Sequence, residues 1–130
     1  MSVLLDTNFL IGLLRGGQSY WTYLEQLLEQ IAPSISVISR AEIYAGCHPS
    51  EQTQTHRLLS YFRSVPVDGN IADMAGRFVY LYRRRGLTLH LEDALIGATA
   101  MSDQLILVTR NVDHFPMLSL EKNLIRFPTE

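Results

Sequence analysis

Short apolar runs that stop abruptly at a polar residue alternate along this chain with segments of helical periodicity. SVLL at 2–5 ends at Asp6, and LILV at 105–108 ends at Thr109. Ser34 to Ile38 alternates in the manner of a second strand, Val65-Pro66-Val67 forms a third short run, and Leu124 to Phe127 a last one. The intervening segments carry apolar stripes spaced for helices. Thr7 to Arg15 presents Phe9, Leu10, Leu13 and Leu14 before Gly16-Gly17, and residues 18–31 align Tyr20, Trp21, Leu24, Leu27, Leu28 and Ile31. Further helices are expected from Ser39 through Ala45, from the turn at Gly46–Ser50 to Arg63, over Ile71–Arg85 and over Leu91–Met101. The Ile71–Arg85 helix would bury Ile71, Met74, Ala75, Phe78 and Leu81, capped by Asp68 or Asn70. Strands separated by helices favour crossover connections and a sheet covered on both faces. The expected fold is therefore α/β: a three-layer α/β/α arrangement around a mostly parallel sheet.

A chain of 130 residues suits one domain, spanning 1–130, with one core. No apolar run approaches the roughly 20 residues that cross a bilayer. The apolar stretch at residues 1–5 lacks the cationic start of a signal peptide, so a cytoplasmic protein without membrane attachment is expected. The single cysteine, Cys47, has no internal disulfide partner and is read as a small core or helix-end residue. A net charge of −2 does not by itself announce a nucleic-acid binder. Positive charge is nevertheless uneven, with Arg77, Arg83, Arg84 and Arg85 close together. YLYRRRG suits a helix end, where cations complement the dipole and Gly86 supplies a left-handed stop. A phosphate-binding or partner-binding face is the alternative.

In a parallel α/β sheet the ligand crevice lies beyond the carboxyl ends of the strands. Asp6 stands just past the first strand, and Asn111 and Asp113 just past the strand at 105–108. Glu42 and Asp93 are expected in the first turns of their helices, near the same rim. Each acid alone has a structural explanation. Asp6 or Thr7 can cap a helix, Ser39-x-x-Glu42 has the form of a capping box, and Asp93 suits a helix dipole. Four placements at one rim point instead to convergence. Crowded carboxylates oppose joint ionisation, and a hard divalent cation such as Mg²⁺ or Mn²⁺ relieves them. For the fourth position, Asn111 offers a neutral oxygen nearer the strand and Asp113 a charge two residues later. Thr109 and Arg110 are read either as support for the site and phosphate contacts or as plain turn structure.

Other chemistries find no support. His48, His56, His90 and His114 lack helical metal-ligand spacing and are expected at the surface or in turns. Neither a glycine-rich phosphate loop nor a GxSxG elbow is present. Asp68, Asp73 and Asp103 are expected to be caps or solvated charges.

Taken together, LLDTNFLIGLLRG, ISRAEIYAG, EDALIGATA and LILVTRNVDHF resemble the four acidic motifs of the PIN-domain ribonucleases. The likeness is strongest to the VapC-type toxins of bacterial and archaeal toxin–antitoxin pairs, and it covers nearly the whole chain. It implies that Asp6, Glu42 and Asp93 hold the metal, with Asn111 at the family's fourth position and Asp113 as a further acid of the site. It also implies an RNA substrate, a homodimer, and a cognate antitoxin whose tail occupies the cleft. The expected activity is metal-dependent endoribonuclease cleavage, with Thr7, Ser39, Thr109, Arg110 and Asn111 tuning the site or touching substrate. The rivals are a phosphatase or DNA-directed nuclease with the same acids, or a noncatalytic module whose acidic cleft receives a basic partner segment.

Overall fold

Three consecutive apolar residues, Val3, Leu4 and Leu5, are at most 1% exposed, which requires a strand covered on both faces. The structure, a computed structural model, describes residues 2–127. Met1 and residues 128–130 of the expected 1–130 domain lie outside the described residues. Strand β1 (Ser2–Leu5) is central, with β2 (Ser34–Ser36) and then β3 (Arg63–Val65) on one side. On the other side lie β4 (Leu105–Thr109) and β5 (Leu124–Arg126), in the order β3-β2-β1-β4-β5. All four pairings are parallel, with Leu4 opposite both Ser34 and Leu107, and Leu5 opposite Val108. The chain first winds outward from β1 to β3, then returns to place β4 on the opposite flank of β1. That reversal opens a crevice at the carboxyl ends of β1 and β4.

Among the described residues, six α-helices cover the sheet: α1 (Thr7–Leu14), α2 (Gln18–Leu28), α3 (Val37–Ala45), α4 (Gln52–Leu59), α5 (Gly69–Arg84) and α6 (Leu91–Ser102). Alternation along β1 divides the core between two faces. Val3 and Leu5 pack with Phe9, Leu10 and Leu13 of α1, and with Leu24, Leu58 and Leu59. Leu4 joins Leu107 of β4, Ile96 and Ala100 of α6, and Phe115 on the other face. The small residues Ala75, Ala94 and Ala98 let α5 and α6 pack closely outside that layer. A Cβ at Gly97 would stand 2.6 Å from Met117 Sδ, so α6 accepts only glycine there without a shift. The expected three-layer architecture is the one observed.

Several boundaries differ from expectation, and one matters for the site. Strand β2 stops at Ser36, whose hydroxyl accepts from the Ile38 N–H at 3.0 Å and caps α3. Val37 and Ile38, β-branched residues that read as strand, are the first turn of that helix. Ser39 is thus inside α3 and is no cap, the Ser39–Glu42 capping box does not form, and Glu42 lies in the second turn. Helix α4 ends at Leu59 rather than Arg63, and β3 covers 63–65 because Pro66, which lacks an N–H, follows the strand instead of joining it. Helix α2 ends at Leu28, which is 56% exposed, and Leu81 of α5 is 47% exposed, so neither belongs to its expected buried stripe. Strand β5 ends at Arg126; Phe127 leaves it to pack edge-on against Phe9 and Tyr20.

The end of α5 follows expectation. Asp68 caps its start, accepting from the Ile71 N–H at 2.9 Å. Gly86 adopts φ +80°, and the Leu87 N–H reaches back to the Tyr82 carbonyl at 2.9 Å. Arg84 and Arg85 lie over the rings of Tyr80 and Tyr82. Among the described residues, no helix is long and apolar enough to cross a membrane.

Candidate active site

The β1–β4 pairing delivers the first contact of the site. The Asp6 N–H continues the ladder to the Val108 carbonyl at 3.0 Å, which sets the Asp6 side chain beside Thr109. Thr109 Oγ1 donates to Asp6 Oδ2 at 2.6 Å, and the Thr7 N–H donates to Asp6 Oδ1 at 2.8 Å. Both carboxylate oxygens are therefore fixed, and Asp6 is only 4% exposed. Thr109, itself fully buried, accepts from the Asn111 N–H at 3.0 Å. Asn8 completes this corner, with Nδ2 at 3.5 Å from Thr109 Oγ1 and Oδ1 accepting from the Arg110 N–H at 3.4 Å.

Helix α3 supplies the second acid. Thr7 Oγ1 stands 2.6 Å from Glu42 Oε1 and 2.8 Å from Ser39 Oγ. The Thr7 hydroxyl has one proton, and a carboxylate can only accept, so Thr7 donates to Glu42 and Ser39 donates to Thr7. Because Ser39 and Glu42 are three residues apart within one helix, they share a face and meet Thr7 together. The displaced start of α3 thus turns a presumed cap into a relay that orients Glu42.

Asp93, the third residue of α6, is the third acid, and its side chain is 17% exposed. His114 Nδ1 lies 3.4 Å from Asp93 Oδ2, a contact that is an ion pair when the imidazole is protonated. His114 occupies the 3₁₀ turn Val112–His114 that follows β4. It is half exposed, as a turn residue should be, yet it sits at the site.

Burial lifts the Asp6 carboxyl to about 6 from its ordinary 3.8, against the lowering effect of the Thr109 and Thr7 hydrogen bonds. The charges of Asp93 and Glu42 raise it further. Asp93 is also raised, chiefly by burial and then by Glu42 and Glu92, while His114 and His90 oppose the rise. These mutual influences bring Asp6, Glu42 and Asp93 into one electrostatic cluster. Asp113 and Asn111 are exposed, and neither side chain hydrogen-bonds to those acids among the described residues. At the end of β4 and in the turn that follows it, contact with the acids comes from Thr109 and His114.

The PIN-domain family model matches residues 3–117, from the strand that carries Asp6 to beyond His114. The chain belongs to the PIN-domain family. Ribonuclease VapC10 of Mycobacterium tuberculosis is 39% identical over 115 residues, covering 88% of this chain and 86% of that protein. A toxin–antitoxin complex from Klebsiella pneumoniae contains a chain 31% identical, with a TM-score of 0.76 and 95% of each chain covered. The VapBC2 structure from Rickettsia felis, bound to a promoter DNA fragment, superposes with a TM-score of 0.80 at 26% identity over 97% of each chain. Within the family this chain is of the VapC type.

Among the described residues, no three His, Cys, Asp or Glu side chains close into a preformed metal cage. The donor set of this PIN domain nevertheless suits a hard divalent cation. Its acids are oxygen donors, and the charges of Asp93 and Glu42 both raise the Asp6 carboxyl. Mg²⁺ retains several waters and needs only one or two carboxylates, so an open cluster is compatible with it. Asp6, Glu42 and Asp93 would hold such an ion.

Two participants escaped the sequence reading. Asn8 carried a signal in the DTN triplet after β1, but its role depends on Thr109 and Arg110, about a hundred residues away. His114 lies in a turn, as expected, but only the closeness of that turn to the start of α6 links it to Asp93.

Proposed function

We propose that this chain is a metal-dependent endoribonuclease and the toxin of a type II toxin–antitoxin pair. The observation that carries this reading is the frame in which Thr7 bonds both Asp6 and Glu42 and Thr109 bonds Asp6, beside Asp93, whose charge helps push the Asp6 carboxyl up to about 6. Asp6, Glu42 and Asp93 would hold Mg²⁺ or Mn²⁺, which would supply Lewis-acid stabilisation of phosphoryl oxygens and activation of water. The protein's part is positional. Thr109 and the Thr7 N–H hold the two oxygens of Asp6, and the Thr7 hydroxyl, backed by Ser39, holds Glu42. His114 places its Nδ1 beside Asp93 at the open edge of the cluster. Water serves as nucleophile in an in-line displacement, so no covalent enzyme intermediate is required.

The likeness to ribonuclease VapC10 supports RNA as the substrate. Arg110 lies at the rim of the site, and Arg83–Arg85 end the helix that leads through a short connection to α6 and Asp93. These arginines contact the phosphate backbone, while Asn111 and Asp113 line the exposed rim. The likeness to toxin–antitoxin complexes supports a cognate antitoxin, whose basic group would neutralise the acidic cluster. A homodimer in the cytoplasm belongs to the same proposal.

Cleavage of total RNA by purified protein with Mn²⁺, beside EDTA and Asp6→Asn controls, tests the reading. Discrete products that vanish in both controls are expected. Products that persist undiminished in both controls would overturn it.

A further inference from the structure

Beside the acidic cluster lies a cavity of about 370 Å³ that shares Glu42 as a wall. Ligand sites run from about 300 to 1,000 Å³, so this one has room for a single compact group rather than a folded segment. Ile11 and Leu14 of α1 and Ile43 of α3 give it an apolar lining. Gln54 of α4 adds an amide, while the hydroxyl of the buried Thr55 is taken up by Cys47 Sγ at 3.4 Å. The amide can both donate and accept, as the edge of a nucleobase does. Gln54 is exposed and makes no hydrogen bond among the described residues. Arg15, also on the lining, forms no ion pair among the described residues although Glu42 and Glu51 line the same cavity.

We infer that this cavity is a nucleotide-recognition subsite, which takes one unstacked base of single-stranded RNA next to the bond that is cut. The inference rests on the nuclease reading and extends it to sequence preference. Proteins that read RNA sequence do so on splayed bases, packing the ring on side chains and bonding its edge. The cavity offers both elements, and because Glu42 is part of its lining, a base held there lies beside the reacting phosphodiester. Arg15 then meets a flanking phosphate, which a free guanidinium does well. A peptide side chain would need no such cation beside the carboxylates. The edge contacts of Gln54 set which base is preferred, and the apolar lining sets how tightly it is held.

The test is cleavage of a randomised single-stranded RNA pool with Mn²⁺, followed by end-mapping, for wild type, Gln54→Ala and Leu14→Trp. Wild type is expected to show at least a tenfold preference for one or two bases at one position beside the cut. Gln54→Ala should flatten that preference to about threefold or less. Leu14→Trp, which fills the cavity, should raise KM for the preferred sequence about tenfold, with Mn²⁺ binding by calorimetry unchanged. Because Gln54 is exposed, its variant keeps the test valid even if Leu14→Trp fails to fold. A preference that survives both substitutions would overturn the inference, even if the variants then escaped inhibition by a bound partner protein. Wild-type cleavage with no base preference would overturn it alone, whereas no metal-dependent cleavage by wild type would overturn it together with the nuclease reading.

Discussion

Thr109 and Asp6 are 103 residues apart in sequence and share a 2.6 Å hydrogen bond at the carboxyl ends of two neighbouring parallel strands. The contact follows from the sheet register, because Leu5 pairs with Val108 and the next residue of each strand is Asp6 or Thr109. A hydroxyl beneath a buried carboxylate does two things. It orients one oxygen, and it offsets part of the cost of burying the charge.

Replacing Thr109 by valine keeps the shape and removes that donor. A buried acceptor left without its partner costs about 1–3 kcal/mol. Supporting hydrogen bonds behind metal ligands are worth roughly 10–100-fold in affinity. Thr109→Val should therefore weaken Mn²⁺ binding by about that factor in calorimetry, while Thr109→Ser restores most of it.

The pH dependence of stability has a definite sign. Asp6 titrates at about 6 in the folded protein and at 3.8 in its ordinary environment, so between those values the folded state binds the extra proton. Stability from this group is fully present below 3.8 and is lost as pH rises through 6, by about 3 kcal/mol. Asp93 is shifted in the same direction. In EDTA, Asp6→Asn should be more stable than wild type at pH 7.5 by roughly 1–3 kcal/mol, and the gain should fade toward pH 4. Urea unfolding at the two pH values measures this.

Thr7 ties Glu42 to the site through its single hydroxyl proton. Thr7→Val should lower kcat about 10–100-fold, the range for lost support of a ligand. Ser39→Ala acts one bond further back and should cost less, on the order of a few-fold. A steady-state comparison of the two variants orders the relay; a larger loss from Ser39→Ala than from Thr7→Val would reverse it.

His114→Ala removes the larger of the two influences, from His114 and His90, that oppose the rise of the Asp93 carboxyl. The acid limb of the pH–rate profile should then move to higher pH. Thermal stability at neutral pH should barely change, because the imidazole is half exposed. An unmoved acid limb would separate His114 from the chemistry.

Ser36→Ala should destabilise the protein by about 0.5–2 kcal/mol through loss of the α3 cap. Chemical denaturation checks it, and a neutral result would contradict the observed start of the helix.

Much of this fold was legible because strand runs such as SVLL and LILV are apolar throughout and end at a polar residue. Their ends located Asp6 and Thr109, and the helical stripe of α6 located Asp93. The error at Ser39 was physical mimicry. A serine three residues before a glutamate is a capping box at a helix start, but the same spacing within a helix puts both side chains on one face. Only the Ser36 hydroxyl on the Ile38 N–H distinguishes the two. The Asn8–Thr109 and His114–Asp93 contacts were illegible because each depends on how distant segments dock, which no local pattern encodes. Leu28 and Leu81 misled for the converse reason: they fit the apolar period of their helices, yet both remain half exposed.

The most direct measurement is calorimetric titration of Mn²⁺ into the protein at pH 7.5, for wild type and for Asp6→Asn. A metal centre built on Asp6, Glu42 and Asp93 predicts saturable binding by wild type and at least tenfold weaker binding by the variant. Equal affinity in the two proteins, or no binding by wild type at millimolar Mn²⁺, would contradict it.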